Sequence, residues 1–260
     1  MTLPGGFHST DLGSSQQWGF AVLNGDAELG LWELSNAQKQ RSETISGLID
    51  TTCTFSKPAY KASDLSDGDR MFLLSKIAGQ LGPKQLWFTQ NCEACDTPFD
   101  SSVELKNIPI KPAAKDFPFV SIEYDKDVLK FRVPTGRDIE SLGQKIDIDQ
   151  ARRDLIKRCH VSGDLPELTD RLVDTIDEAL EDCAPEIATE PLTQCPDCSS
   201  PARLKIDLAD IVMQALSNPL KDIHDIASTY HWSEADILSM PKSRREHYLA
   251  LIEQDEGMIS

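Results

Sequence analysis

The chain lacks any run of about 18 apolar residues, and Met1 to Phe20 contains no basic segment followed by an apolar one, so neither membrane insertion nor export is expected and the protein is placed in the cytoplasm. Positive charge is also scarce. The 26 Lys and Arg residues stand against 43 Asp and Glu, a net charge of -17. Affinity for nucleic acid rests on cationic groups that displace counterions from phosphates, so general nucleic-acid binding is not expected. Three catalytic signatures are missing as well: His-Glu-x-x-His, the Gly-x-Ser-x-Gly elbow and the Gly-x-x-x-x-Gly-Lys phosphate loop. Without them the usual metalloprotease, serine-nucleophile and nucleotide chemistries lose support, and no enzyme activity or small-molecule substrate is expected.

Cysteine, by contrast, is well represented, and four of the seven fall into two Cys-x-x-Cys pairs, Cys92/Cys95 and Cys195/Cys198, about a hundred residues apart. In a reducing compartment this spacing points to one shared structural Zn2+ site, each pair giving half of a tetrahedral shell. Neither half closes without the other. A redox dithiol is the alternative for Cys195-Pro196-Asp197-Cys198, but such motifs start a helix after a strand in a βαβ unit. Both pairs here sit in polar knuckles followed by strand-like alternation, Phe99 to Leu105 and Ala202 to Leu208. Unrelated thiols or disulfides remain the other alternative. Cys53, Cys159 and Cys183 fall outside the pattern and read as buried small apolar residues. A catalytic zinc needs an open position, so His160, His224, His231 and His247 are not expected as ligands, and His224 and His231 read as packed or capping residues.

The pattern along the chain predicts an α+β fold: zinc-clasped central hairpins, a helical C-terminal region and an extended N-terminal arm. Three regions are expected, 1–65, 66–206 and 207–260. Pro4-Gly5-Gly6 to Gly19 reads as an arm or loose hairpin with little core of its own, followed by two short helices around Leu29–Leu34 and Ile45–Ile49. A capped helix from Ser66 ends at Gly82-Pro83. Hairpins follow around the first knuckle and around Tyr124-Asp125-Lys126-Asp127. Thr135 and Asp138 have capping-box spacing, and a helix through Ala151 to Cys159 follows. The periodic segment Glu167 to Glu181 puts Leu168, Leu172, Ile176 and Leu180 on one stripe, and its carboxylates read as a solvated face rather than a catalytic pair. Helices fill the remainder, with Ser233/Asp236 and Ser243/Glu246 spaced as successive capping boxes.

These segments carry a resemblance. Cys195-Pro196-Asp197-Cys198, Ile206-Asp207-Leu208, Ile223-His224-Asp225-Ile226-Ala227, Tyr230 to Leu238 and Arg244-Arg245-Glu246-His247-Tyr248-Leu249 resemble the C-terminal part of the T4-like phage baseplate protein family. The likeness extends over most of the chain, through a Leu-Pro-Gly-type start, Gly68-Asp69-Arg70 ahead of the first cysteine pair, and Arg132-x-Pro134-Thr135-x-x-Asp138. Each motif is weak alone and specific in combination. The resemblance implies a structural component or assembly factor of a contractile-tail baseplate, with other baseplate, hub or tube proteins as partners. It implies a location in the cytoplasm during assembly and then in the virion or injection particle. One departure is that no glycine follows the second pair, at Cys198-Ser199-Ser200. The rival function is a zinc-ribbon DNA-binding regulator that reads DNA through the helices around Trp232 and Arg244-Arg245. Trp18 and Trp32 are candidate partner contacts, although a core role is the simpler reading for both.

Overall fold

The computed structural model describes residues 1–9, 11–125, 127–143, 147–216 and 218–257. Its mixed α and β architecture, with a helical C-terminal region, matches the expected class. The N-terminus is the expected hairpin rather than an extended arm, and it departs from expectation in having a core. Strands β1 (Thr2–Ser9) and β2 (Gly13–Phe20) pair antiparallel, and β3 (Cys53–Phe55) extends the sheet on the β2 side. Leu3, Phe7 and Trp18 are buried in the main core, so the segment is not an arm without a core of its own. The glycines that suggested looseness permit a close approach. The backbone N–H groups of Gly5 and Gly6 donate to the fully buried Asp69 carboxylate at 2.8 and 3.0 Å, and Gly6 sits at φ +96°. Phe7 stacks on Tyr60 with centroids 4.3 Å apart.

The two expected short helices are α1 (Gly25–Asn36) and α2 (Arg41–Thr52), which bury Leu31 and Ile45, Leu48 and Ile49; Trp32 is half-buried. Helix α3 (Asp67–Leu81) starts where Ser66 Oγ accepts from the Asp69 N–H and stops at Gly82. Its Phe72, Leu73, Leu74 and Ile77 are all buried, so the helix is enclosed on more than one face, as a widely apolar helix must be. Full burial of a side chain such as Leu73 contributes about 2 kcal/mol. The main core gathered around α3 draws on Leu3, Leu48, Leu73 and Val212, and so crosses both expected boundaries, at 65/66 and at 206/207.

Hairpin β4 (Gln85–Asn91) and β5 (Pro98–Glu104) leaves this core, and the two-residue strand β6 (Ile110–Lys111) follows it. A second hydrophobic cluster lies beyond. Strands β7 (Phe119–Tyr124) and β8 (Asp127–Arg132) form the expected hairpin, and Lys126 at its turn lies outside the described residues. After α4 (Gly136–Ser141) and α5 (Ile148–Cys159) comes β9 (His160–Ser162), which pairs with β8 and was too short to register as a period. Helix α6 (Asp170–Cys183) packs its apolar stripe, Leu172, Ile176 and Leu180, on this sheet with Phe131 and Ile156. Its carboxylates form the expected solvent-facing side, where several also pair with α5. Arg152 on α5 reaches Asp174 at 2.9 Å and Asp177 at 2.7 Å, and Arg153 pairs with Asp170. Strand β10 (Glu186–Ile187) then pairs back to β6.

Gly68-Asp69-Arg70 and Arg132-x-Pro134-Thr135-x-x-Asp138 meet at one joint. A methyl group on Gly68 would stand 1.7 Å from the Pro185 carbonyl oxygen, so no side chain fits there. Asp69 holds the N-terminal hairpin, and Arg70, fully buried, lies flat against Gly136. Arg132 grips Asp138 through two hydrogen bonds, 2.6 and 2.7 Å, while Asp138 also accepts from Thr135 N–H and Oγ. Burial alone would raise the Asp138 carboxyl, but Arg132 and Thr135 outweigh it and hold it below its ordinary range. A carboxyl lowered in the folded state adds stability that is present above its unfolded value, about 4, and is lost as pH falls through the folded one. Asp138→Asn should therefore lower unfolding free energy by about 2 kcal/mol at neutral pH, a deficit that closes in acid. Urea midpoints at several pH values test this; a pH-independent deficit would contradict it.

The C-terminal region begins after the short strands β11 (Leu192–Gln194) and β12 (Pro201–Arg203) with α7 (Leu208–Ala215), which joins the main core. Helix α8 (Pro219–Tyr230) has Pro219 in its first turn and Asn218 as cap, so the proline starts a helix where the interruption was expected. Ser233 caps α9 (Glu234–Leu238) as predicted. Ser243 does not cap α10 (Lys242–Gly257), because the Pro241 carbonyl already accepts from Arg244 and Arg245 and the helix starts two residues earlier than a Ser243 cap requires. Ile223, Ile226, Ile237 and Leu238 bury against one another with Leu29 of α1 alongside, and Tyr230, Trp232 and Tyr248 pack face to face and edge to face. Arg245 is 2% exposed and paired with Glu28, whereas Arg244 faces solvent. The arginine pair is thus split between core and surface. Among the described residues no helix is long and apolar enough to cross a membrane.

Candidate metal centre

The two Cys-x-x-Cys pairs occupy the tips of two hairpins. Cys92 and Cys95 join β4 to β5, and Cys195 and Cys198 join β11 to β12. The turns are built alike. In the first, the Cys92 N–H donates to the Thr97 carbonyl at 3.0 Å and the Asp96 N–H to the Cys92 carbonyl at 2.8 Å; in the second, Cys195 donates to Ser200 at 3.0 Å and Ser199 to Cys195 at 2.9 Å. Asp96 and Ser199 share the same left-handed backbone, φ +59° each. A proline opens the returning strand in both, Pro98 and Pro201, and at the next position Phe99 and Ala202 pack beneath the buried Cys92 and Cys195. Cys95 and Cys198 are exposed, so the cluster has one buried and one open sulfur from each hairpin.

All four sulfurs lie within 4.8 Å of one another, with Cys92–Cys198 at 3.6 Å and Cys95–Cys195 at 3.7 Å. A tetrahedral shell with metal–sulfur bonds of about 2.3 Å has edges of about 3.8 Å. A disulfide, by contrast, would need about 2.05 Å. The arrangement therefore fits a four-coordinate metal ion, held by both hairpins and with no protein-free position left in the shell. The side-chain and backbone groups of Ser200, followed by Cys95, hold the Cys198 thiol down at about 6, so one thiolate is available near neutral pH. Backbone N–H groups of Ala94 and Cys95 pull Cys92 the same way, but burial and the neighbouring thiols of Cys198 and Cys95 prevail and raise it to about 11. Four crowded sulfurs share protons in this way until a cation replaces them.

Ser200 and Thr97, whose Oγ1 accepts from the Cys95 thiol at 3.4 Å, were not singled out from the sequence. Their signal was the repeated hydroxyl-Pro step, Thr97-Pro98 and Ser200-Pro201. Among the described residues, these four cysteines are the group of three or more His, Cys, Asp or Glu side chains whose ligand atoms converge. His160 tilts against Phe131, His231 forms the left-handed cap of α8, and His224 is exposed rather than packed. Cys53, Cys159 and Cys183 are buried as expected, with burial pushing the first two thiols up to about 11 and about 12.

The absence of glycine after either pair now has a measurable consequence. A left-handed serine costs about 1–2 kcal/mol, and glycine recovers most of this less its own chain entropy. Ser199→Gly should raise the melting midpoint of the metal-loaded protein by about 2–4 °C. Asp96→Gly should give less, since aspartate tolerates this backbone better. A drop at Ser199 would contradict the argument. Compared with known proteins, the chain matches no family model, no curated protein and no solved structure.

Proposed function

We propose that the protein is a non-enzymatic structural component or assembly factor of a contractile phage-tail-like baseplate, with a structural Zn2+ held by Cys92, Cys95, Cys195 and Cys198. The observation that carries the structural reading is the convergence of four sulfurs from two like-built hairpins distant in sequence. Zinc suits this donor set because thiolates are its preferred soft ligands and it imposes no geometry against a tetrahedron. A shell filled by protein sulfur leaves no place for a reacting water, so the metal clasps rather than catalyses. The baseplate reading rests on the motif combination, and its residues have architectural work: Gly68, Asp69 and Arg70 fix α3 to the N-terminal hairpin and α4, and Arg132 fixes Asp138. Other baseplate, hub or tube proteins are the partners, met in the cytoplasm during assembly.

Co-expression with the tail proteins of the same genome tests this. Copurification with a baseplate, hub or tube protein, together with one zinc per chain, is the expected result. No association with any of them, combined with salt-dependent retention on DNA, would replace this reading with the zinc-ribbon regulator. Against that regulator stand the acidic side chains around the cysteines, Glu93, Asp96 and Asp197, and the burial of Arg245 against Glu28.

A further inference from the structure

Away from the cysteines, the first turns of α2, α3 and α7 converge on an open cleft of about 860 Å3 whose opposite wall is the segment 184–190. Its floor is Arg70. The side chain is 1% exposed, yet its Nη2 has only the Ser42 carbonyl at 2.5 Å and Ser46 Oγ at 3.3 Å as acceptors. Asp67 and Glu140 stand beyond hydrogen-bond reach at 3.7 and 3.8 Å. Arg70 Nε and the buried Ser42 Oγ have no partner among the described residues. A guanidinium carries five N–H donors, and burying it short of acceptors is costly. Burial accordingly lowers its affinity for its proton. The start of α2 adds partial positive charge with no side-chain cap to absorb it, whereas α3 and α7 are capped by Ser66 and Asp207. The floor therefore keeps hydrogen-bond donors unused at Arg70 Nε and Ser42 Oγ, with Asp67 and Glu140 as its nearest charges.

The mouth has the opposite sign. Asp67, Glu181, Glu186 and Glu190 line it, against Lys205 alone, since Arg41 is already paired with Asp207 and Asp210. Between floor and mouth the lining is aliphatic, with Ile45, Met71, Ile187 and Ile206. A simple anion would meet the wrong charge on entering, and a simple cation the wrong charge at the bottom. We propose that this cleft binds a carboxylate that carries a cationic group on a short aliphatic stem: a basic amino acid, either free or as the last residue of a polypeptide. The carboxylate sits against Arg70 and Ser42, the stem lies along the isoleucines, and the cation reaches the acidic mouth.

The experiment uses the full-length, metal-loaded, isotope-labelled protein and follows the Arg70 Nε–H resonance, which needs no destabilising change at the buried arginine. The probes are L-arginine, an N-acetylated tripeptide ending in arginine as free acid and as C-terminal amide, and acetate. L-arginine or the acid peptide should shift the resonance saturably, with the amide weaker by on the order of tenfold or more, the loss expected for a charged hydrogen-bonded pair. Reversing the mouth with Glu186→Lys and Glu190→Lys should weaken the basic ligands and leave acetate unchanged or improved. Response to L-arginine alone identifies a free amino acid, and tighter response to the acid peptide identifies a polypeptide terminus; both support the site. An unmoved resonance with every probe, acetate binding as tightly as L-arginine, or the amide peptide binding as tightly as the acid peptide, overturns it.

Discussion

Stripping the metal with a strong chelator, or replacing Cys92 and Cys195 by Ser, should unfold the second hairpin while the helix at the centre of the main core stays protected. Strands β11 and β12 are three residues each, and an isolated two-stranded hairpin is marginal in water. The apolar support beneath them is Phe99 and Ala202 with the cysteines themselves, far too little to hold two ribbons together. The Leu204 N–H bonds to the Pro191 carbonyl within this unit and goes with it, while Ile206, bonded to Thr189, belongs to the main core and marks the edge of the opening. By analogy with zinc-finger peptides a metal bound there would supply on the order of 10 kcal/mol to this closure. Helix α3 has its own enclosed core and does not depend on it. Amide exchange should therefore accelerate by several orders of magnitude across 191–204 on chelation and change little in 71–78. Acid should act as the chelator does, because protons compete with the metal for sulfur. Less than one metal ion per chain after purification, or unchanged exchange in the Cys92→Ser, Cys195→Ser protein, would sink the shared-site account.

Glu28→Ala is expected to cost about 3–5 kcal/mol, the second-largest effect, because it strands Arg245 in the interior. Arg245 is 2% exposed, and besides Glu28 its Nη1 has the Met240 carbonyl at 2.6 Å, with Nε unpartnered among the described residues. The contact is a charged tie between α1 and the C-terminal helices, which also meet where Leu29 packs against the cluster of Ile223, Ile226, Ile237 and Leu238. Gly25 makes room for it, since a methyl group there would meet Arg245 Nη1 at 2.7 Å. Loss of the carboxylate should detach α8 to α10 before the main core melts, so the denaturation curve should acquire an early phase. Replacing both partners, Glu28→Leu with Arg245→Met, should recover most of the stability, since an apolar pair avoids the stranded charge. A single replacement with no effect, or a double one as damaging as the single, would mean that the pair is not what holds the unit.

Some of this was open to a reading of residues in order. Helices α1 to α3 and α6, the hairpin of β7 and β8, and the cap at Ser233 depend on period, turn residues and capping chemistry, all of which act within a few positions. So does the Cys-x-x-Cys spacing, because half of a metal shell is a local turn. The glycines near the start were misread for the same reason that made the rest legible. Gly5 and Gly6 look loose among their neighbours, and the carboxylate that orders them, Asp69, arrives from α3. The carboxylates on α6 do face solvent as read, but their partners Arg152 and Arg153 come from a helix that no pattern within α6 could announce.

The sequence by itself determined the local elements, the acidic balance and two half-sites for a metal, since each is fixed by residues close together along the chain. Only the tertiary structure decided that the half-sites meet, that Arg245 serves Glu28 rather than the surface, and that Arg70 ends as an under-bonded charge beneath an acidic cleft. A ligand shell, a buried ion pair and a cavity are all closures between distant segments, and their free energy exists only once the chain has brought those segments together.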